Sequence, residues 1–233
     1  MDKFSFSRLQ LYETCPKRFY YKYIKNLPDD NNSKPLALGT AVHKALELIV
    51  NGTDFHEAIK EGYIECDFHE DVSLDEIKEL VERAPFQKLR GKTERYFCLP
   101  LFDGENSPKL QGFIDLVNGN EVFDYKTNRI MYGVTDNHQI ALYAWALSEL
   151  EGYDKVKGSL IFLRFRKESS SVFDKDIINE AVQWARELVK QIHFKLDVIE
   201  FAPNKQNEVF PYRASSACEH CPFILECFRE NKV

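Results

Sequence analysis

Two short apolar runs joined by Asn118-Gly119-Asn120 constrain the fold of this chain more than any other feature. Phe113 to Val117 and Glu121 to Tyr125 have β-type composition, and an Asn-Gly pair between such runs is the strongest short-range signal for a hairpin. If the turn has two central residues, either Asn118-Gly119 or Gly119-Asn120, Asp115 falls opposite Val122 or Asp124. In both registers Asp115 and Asp124 share a face, because strand side chains alternate with period two. Lys126 points to that face as well, while Phe123 and Tyr125 point to the other. A three-residue turn would put Asp115 on the opposite face, so turn length decides whether the three polar groups meet.

Two acids and a lysine at one strand end suit phosphodiester hydrolysis. That reaction needs a cation to carry charge on the scissile phosphate and to make hydroxide near neutral pH. Hard carboxylate oxygens select Mg2+ or Mn2+. A nearby lysine can orient the attacking water or stabilise developing charge. Taken by themselves, the same residues also describe an ion pair on a solvated strand face.

Two helices carry further polar groups. The run Leu38-Gly39-Thr40-Ala41-Val42-His43-Lys44-Ala45-Leu46-Glu47 begins a helix after a loop from Asn31 to Pro35, with His43 and Glu47 four apart on one face. Gln139 and Tyr143 stack in the same way in the amphipathic segment Asp136 to Leu150. Taken in order, a G-T-x-x-H helix, Gly112-Phe113-Ile114-Asp115, Asp124-Tyr125-Lys126-Thr127 and a Q-x-x-x-Y helix resemble the RecB-like branch of the PD-(D/E)XK nuclease superfamily. The resemblance implies a restriction-endonuclease-like α/β core, a mixed central sheet flanked by helices. It implies that His43, Asp115, Asp124 and the backbone carbonyl of Tyr125 ligate the catalytic Mg2+ or Mn2+, with Lys126 as the catalytic lysine beside Asp115 and Asp124. Gln139 and Tyr143 would line the site and orient the substrate backbone, and Glu94 would add an acid from the preceding strand.

The cysteines form a second constellation. Cys15 stands near one end, and Cys218, Cys221 and Cys227 stand near the other. In RecB-like nucleases, including the nuclease domain of AddB and CRISPR-associated exonucleases, the matching pattern binds a [4Fe-4S] cluster, so the resemblance implies that these four thiolates join the termini through such a cluster. Zinc is the competing occupant, but structural zinc sites usually come as two close cysteine pairs, and here only Cys218 and Cys221 form one. Disulfides need an oxidising compartment, and Met1 to Leu9 lacks the apolar core of a signal peptide. Cys66 and Cys98 read as structural, although Cys66 with His69 is a weak metal signal.

At 233 residues, 44% hydrophobic and 13% aromatic, the chain is expected to form one elaborated α/β domain over 1–233. Within it, Cys15 and residues 218–227 form the iron-sulfur module, and residues 39–90 form a helical elaboration. Helices are expected over Ser7 to Ile24, Gly39 to Val50, Asp54 to Glu65, Leu74 to Arg90, Asp136 to Leu150 and Asp174 to Leu196. Strands are expected over Lys92 to Leu101, Lys109 to Val117, Glu121 to Thr127 and Lys155 to Arg166. No apolar run approaches the roughly 20 residues of a membrane span.

A formal net charge of −6 does not announce a nucleic-acid binder. Its distribution is more informative. Lys17, Arg18, Lys22 and Lys25 interleave with Phe19, Tyr20, Tyr21 and Tyr23, a pattern that suits single strands, with Arg18 and Tyr20 as candidate substrate contacts. The same aromatics equally suit packing of the N-terminal helix. Further basic groups are Arg164, Arg166 and Lys167, and Lys88, Arg90, Lys92 and Arg95. The resemblance implies a cytoplasmic metal-dependent DNA nuclease, an exonuclease on DNA ends or single strands in CRISPR adaptation, phage DNA processing or repair. An integrase or helicase is the expected partner class. The alternative is a DNA-binding or scaffold subunit that keeps the fold and does not cut.

Overall fold

In the computed structural model, which describes residues 1–29 and 33–231, the contacts cluster into two compact units. One comprises residues 32–97 and 112–181, and the other residues 1–31, 98–111 and 182–233. Asn31 and Asn32, in the expected loop before Pro35, lie outside the described residues.

The first unit is a sheet covered on both faces. Its strands are β2 (Lys92–Pro100), β3 (Lys109–Asn118), β4 (Glu121–Lys126), β5 (Val156–Phe162) and β6 (Lys167–Phe173). β3 and β4 run antiparallel, β4 and β5 parallel, and β5 and β6 antiparallel, which makes the sheet mixed as expected. The pairs Asn118–Glu121, Val117–Val122 and Leu116–Phe123 leave Gly119-Asn120 as the turn. This register sets Asp115 across from Asp124. Gly119 supplies the left-handed backbone that such a turn demands, at φ +57.

Three helices cover one face: α3 (Lys34–Val50), α4 (Phe55–Glu65) and α5 (Leu74–Val81). Helix α3 has Pro35 in its first turn and buries Ala37, Leu38, Ala41, Val42, Ala45 and Leu46 as one stripe. Those side chains join Leu116, Phe123, Tyr125 and Ile161 in the core, which leaves His43, Lys44 and Glu47 on the opposite side of the helix. Helix α4 is capped by Asp54, which accepts from the amides of His56 and Glu57. Gly62 lets it lie on α3, since a Cβ there would stand 2.3 Å from the carbonyl oxygen of Ala41. The other face is covered by α6 (Gln139–Glu151), in which every residue from Ile140 to Leu147 is buried, so it behaves as a core helix rather than an amphipathic one.

Several boundaries depart from expectation for local reasons. Helix α5 stops at Val81, short of Arg90, because Pro85 lies ahead and disfavours helical geometry just before it. The strand expected to reach Arg166 ends at Phe162 and turns through Leu163–Phe165, with Arg166 at φ +51. The segment that follows, Lys-Glu-Ser-Ser-Ser-Val-Phe, has little β-propensity. It becomes the edge strand β6 through seven paired positions on β5, a tertiary effect that composition hides.

The second unit contains β1 (Lys3–Phe4), paired in parallel with Lys109 and Leu110 at the start of β3, and helices α1 (Phe6–Thr14) and α2 (Pro16–Phe19). A five-residue π-turn, Tyr20–Ile24, follows α2. The single helix expected over Ser7 to Ile24 breaks at Cys15, whose φ −153 and ψ 99 are extended, because the next residue is proline. Most of the long α7 (Lys175–Phe201) also belongs here, with α8 (Gln206–Val209) and α9 (Ile224–Asn231).

Candidate active site

The site forms where the β3–β4 ladder ends. Beyond Leu116–Phe123 the amide of Tyr125 donates to Asp115 Oδ2 at 2.7 Å, so the carboxylate takes a donor that a continuing sheet would pair with backbone. His43, from the outward side of α3, reaches the same place. Its Nδ1 lies 3.3 Å from Asp115 Oδ2 and its Nε2 lies 2.9 Å from the Tyr125 carbonyl oxygen. The Tyr125 ring is buried in the core below, so this residue offers the site only its backbone.

Alternation brings Asp124 and Lys126 out together on the face covered by α6. Lys126 Nζ lies 2.7 Å from Asp124 Oδ2 and donates to Gln139 Oε1 at 2.9 Å. Gln139 Nε2 donates to Asp124 Oδ1 at 2.9 Å and to the Tyr143 hydroxyl at 3.1 Å. Gln139 therefore holds the carboxylate and the lysine in one arrangement. Tyr143 is 9% exposed, with its ring edge-on to Phe97 and its hydroxyl bonded to Gln139. Tyr132, which no sequence pattern singled out, stands near Lys126 from the loop after β4, and burial first of all raises the pKa of its hydroxyl.

The electrostatics follow from burial and crowding. Burial opposes a proton on His43, but Asp115 and Asp124 outweigh it and lift the imidazole to about 9. Burial and then Asp115 push Asp124 up to about 6, against the pull of Lys126. Burial works against charge on Lys126 too, yet Asp124 holds its pKa above the ordinary lysine value. At neutral pH the lysine is a cation, so it can donate and stabilise charge but cannot take a proton from water.

A cleft of about 490 Å³ opens beside these groups, lined by His43 and Asp115 together with Lys44, Glu47, Glu65 and Glu94. Glu94 is pushed up to about 7 by burial and by Asp115. Its backbone is left-handed, φ +47, a strain of about 1 to 3 kcal/mol for a non-glycine residue that is found preferentially at functional sites.

Among the described residues no three His, Cys, Asp or Glu side chains stand as a ready-made metal cage. Donor chemistry nevertheless fits a hard cation at the end of β3 and β4. Asp124 Oδ2 is buried and faced by the charge of Lys126, while the Asp115 carboxylate and the Tyr125 carbonyl both lie within 3.3 Å of the His43 ring.

In the second unit Cys15, Cys218, Cys221 and Cys227 are all half-buried. Burial pushes the Cys221 thiol up, and the proximity of Cys15 and Cys218 adds to the rise, whereas Arg18 lowers it. Cys15 and Cys218 thus act on Cys221, but among the described residues no three of these sulfurs are gathered as a metal-binding group. Tyr20 is buried, its ring stacks on Phe210 at 5.1 Å and its hydroxyl donates to Gln206, contacts of the kind the packing alternative expects. Lys17 is likewise buried, against Asn207 and Glu230. Arg18 remains half-buried, with its Nε lacking a hydrogen-bond partner. Cys66 donates to the Tyr63 carbonyl, as a structural cysteine would.

The sequence profile of the PD-(D/E)XK nuclease superfamily matches residues 3–228. The chain belongs to that superfamily. The solved structure of SSO0001 is similar over 97% of this chain and 86% of that chain, at 15% identity and a TM-score of 0.46. No curated protein sequence matches. Superfamily members usually use Mg2+ or Mn2+, and membership points to DNA as the substrate. No described helix is long and apolar enough to cross a membrane.

Proposed function

We propose that the chain is a metal-dependent deoxyribonuclease of the RecB-like branch, acting on DNA ends or single strands. The observation that carries this reading is the pair of bonded groups at the end of one hairpin, His43 with Asp115 and the Tyr125 backbone, and Asp124 with Lys126 and Gln139. His43, Asp115, Asp124 and the Tyr125 carbonyl would hold the cation. A bound Mg2+ or Mn2+ supplies positive charge at the phosphate and a water acidic enough to attack near neutral pH. Lys126, kept protonated by Asp124, orients that water and stabilises charge as it builds on the phosphate oxygens. Gln139 positions both groups, and Tyr143 positions Gln139.

The [4Fe-4S] cluster on Cys15, Cys218, Cys221 and Cys227 is part of the same proposal, supported by the spacing of these cysteines in the sequence. So are cytoplasmic action and a role in CRISPR adaptation, phage DNA processing or repair with an integrase or helicase partner, which rest on the motif resemblance. The second reading, a DNA-binding subunit that does not cut, draws on the donors being bonded to one another.

Anaerobically purified protein with end-labelled single-stranded and duplex DNA separates the two. Cutting that needs Mn2+ or Mg2+, stops with chelator and falls at least about a thousandfold in Lys126→Ala is the expected result. Cutting retained by Lys126→Ala removes the assignment, and binding without cutting by the wild type favours the second reading.

A further inference from the structure

The segment from Thr127 to His138 leaves β4 just after Lys126 and enters α6 at Gln139, so site residues stand at both of its ends. It is pinned along its length. Arg164 Nε donates to the Thr127 carbonyl at 2.8 Å, the Val134 amide donates to Ser169 Oγ at 3.0 Å, and the Tyr132 ring meets Phe162 edge-on at 5.2 Å. The chain between Thr127 and Val134 is thus held at both ends and at Tyr132.

At its apex sits Ile130, 76% exposed, beside the exposed Arg129. A branched apolar side chain there adds nothing to the core, and among the described residues of its unit Ile130 is the most exposed large apolar one. Four residues of chain reach at most about 14 Å. Ile130 therefore stands within about four base-pair steps of Lys126.

Apolar side chains that enter a base stack unstack it at a cost of a few kcal/mol, and they succeed only if their own support does not yield. The pinned loop meets that condition. Resting on the nuclease reading above, we propose that Ile130 is a wedge that inserts at the terminal base pair of a duplex end. Arg129 steadies the adjacent phosphate, and one strand then passes unpaired toward Lys126. The substrate class this selects is a duplex end that the protein opens itself.

The test uses a blunt duplex with 2-aminopurine at its terminal pair, and a matching single strand. In chelator, wild-type protein should raise the fluorescence of the duplex, Ile130→Leu should do the same, and Ile130→Ser should not. With Mn2+, the ratio of duplex to single-strand cutting should fall about tenfold in Ile130→Ser, the share expected for one lost unstacking contact. The exposed position keeps the variant folded. An unchanged ratio overturns the wedge, as does a wild type that leaves terminal fluorescence flat. A parallel loss on both substrates would make Ile130 a positioning residue of the site and also overturn it. Should the wild type cut nothing, the nuclease reading fails by itself, and the fluorescence arm still decides whether Ile130 opens an end.

Discussion

His43 illustrates how a few ångströms set a residue's chemistry. With Asp115 3.3 Å from Nδ1, its pKa is lifted from an ordinary 6.5 to about 9 despite burial, so metal-free protein carries an imidazolium among the donors at neutral pH. The sign of the resulting pH dependence follows by linkage: a group whose folded pKa is raised gives stability that is complete below 6.5 and lost as pH rises through about 9. Metal-free protein is expected to lose on the order of 1 to 3 kcal/mol over that window. The loss should be absent in His43→Gln, as Tm measured from pH 6 to 9.5 in chelator would show. Asp124 and Glu94, raised to about 6 and about 7, contribute declines of the same sign at lower pH. In Asp115→Asn the largest upward influence on His43 disappears while burial remains. Its imidazole pKa should drop by about two units or more, a change that NMR titration of the histidine ring reads directly.

Elements place these residues through contacts as close as backbone allows. Helix α3 presents His43 because α4 backs it, and α4 approaches only because position 62 has no side chain. Replacing a helical glycine with alanine ordinarily stabilises by about 1 kcal/mol. Here the added methyl would meet the Ala41 carbonyl, so Gly62→Ala is expected to cost about 1 to 3 kcal/mol in denaturant unfolding and to reduce cutting by shifting His43. A stabilised variant with normal activity would show that α4 does not set the position of α3. The strand β4 contributes by alternation alone, with Phe123 and Tyr125 in the core and Asp124 and Lys126 in the site.

At the scale of the whole chain, the two termini meet in one unit, where Lys17, Tyr21 and Lys25 converge on Glu230 and four cysteines lie half-buried. Protein purified without oxygen is expected to be brown and to contain iron. Cys218→Ala should be colourless and less stable by on the order of 4 to 5 kcal/mol, the scale for releasing a constraint across a long loop. Unchanged colour and iron content in that variant would exclude Cys218 as a ligand. Because the catalytic candidates belong to the other unit, loss of iron should lower stability more than it lowers metal-dependent cutting at low temperature.

Much of the site was legible in the sequence because its signals are local. The Asn-Gly turn fixes a register, period two puts Asp124 and Lys126 on one side, and the i, i+4 spacing stacks Gln139 on Tyr143. Superfamily membership could likewise be read from the order of four short motifs. The sequence did not determine which polar and aromatic groups would be covered. Tyr20 is covered by Phe210 and Tyr143 lies edge-on to Phe97, both from distant parts of the chain, and Tyr132 stands near Lys126 only because a loop returns to it. Edge strand β6 and the break at Cys15 show the same division. Proline dictated the break from its own covalent geometry, whereas a serine-rich segment becomes a strand only when β5 offers it unpaired amides and carbonyls. Period and turn chemistry act between neighbours in the chain; burial is decided by residues a hundred positions away.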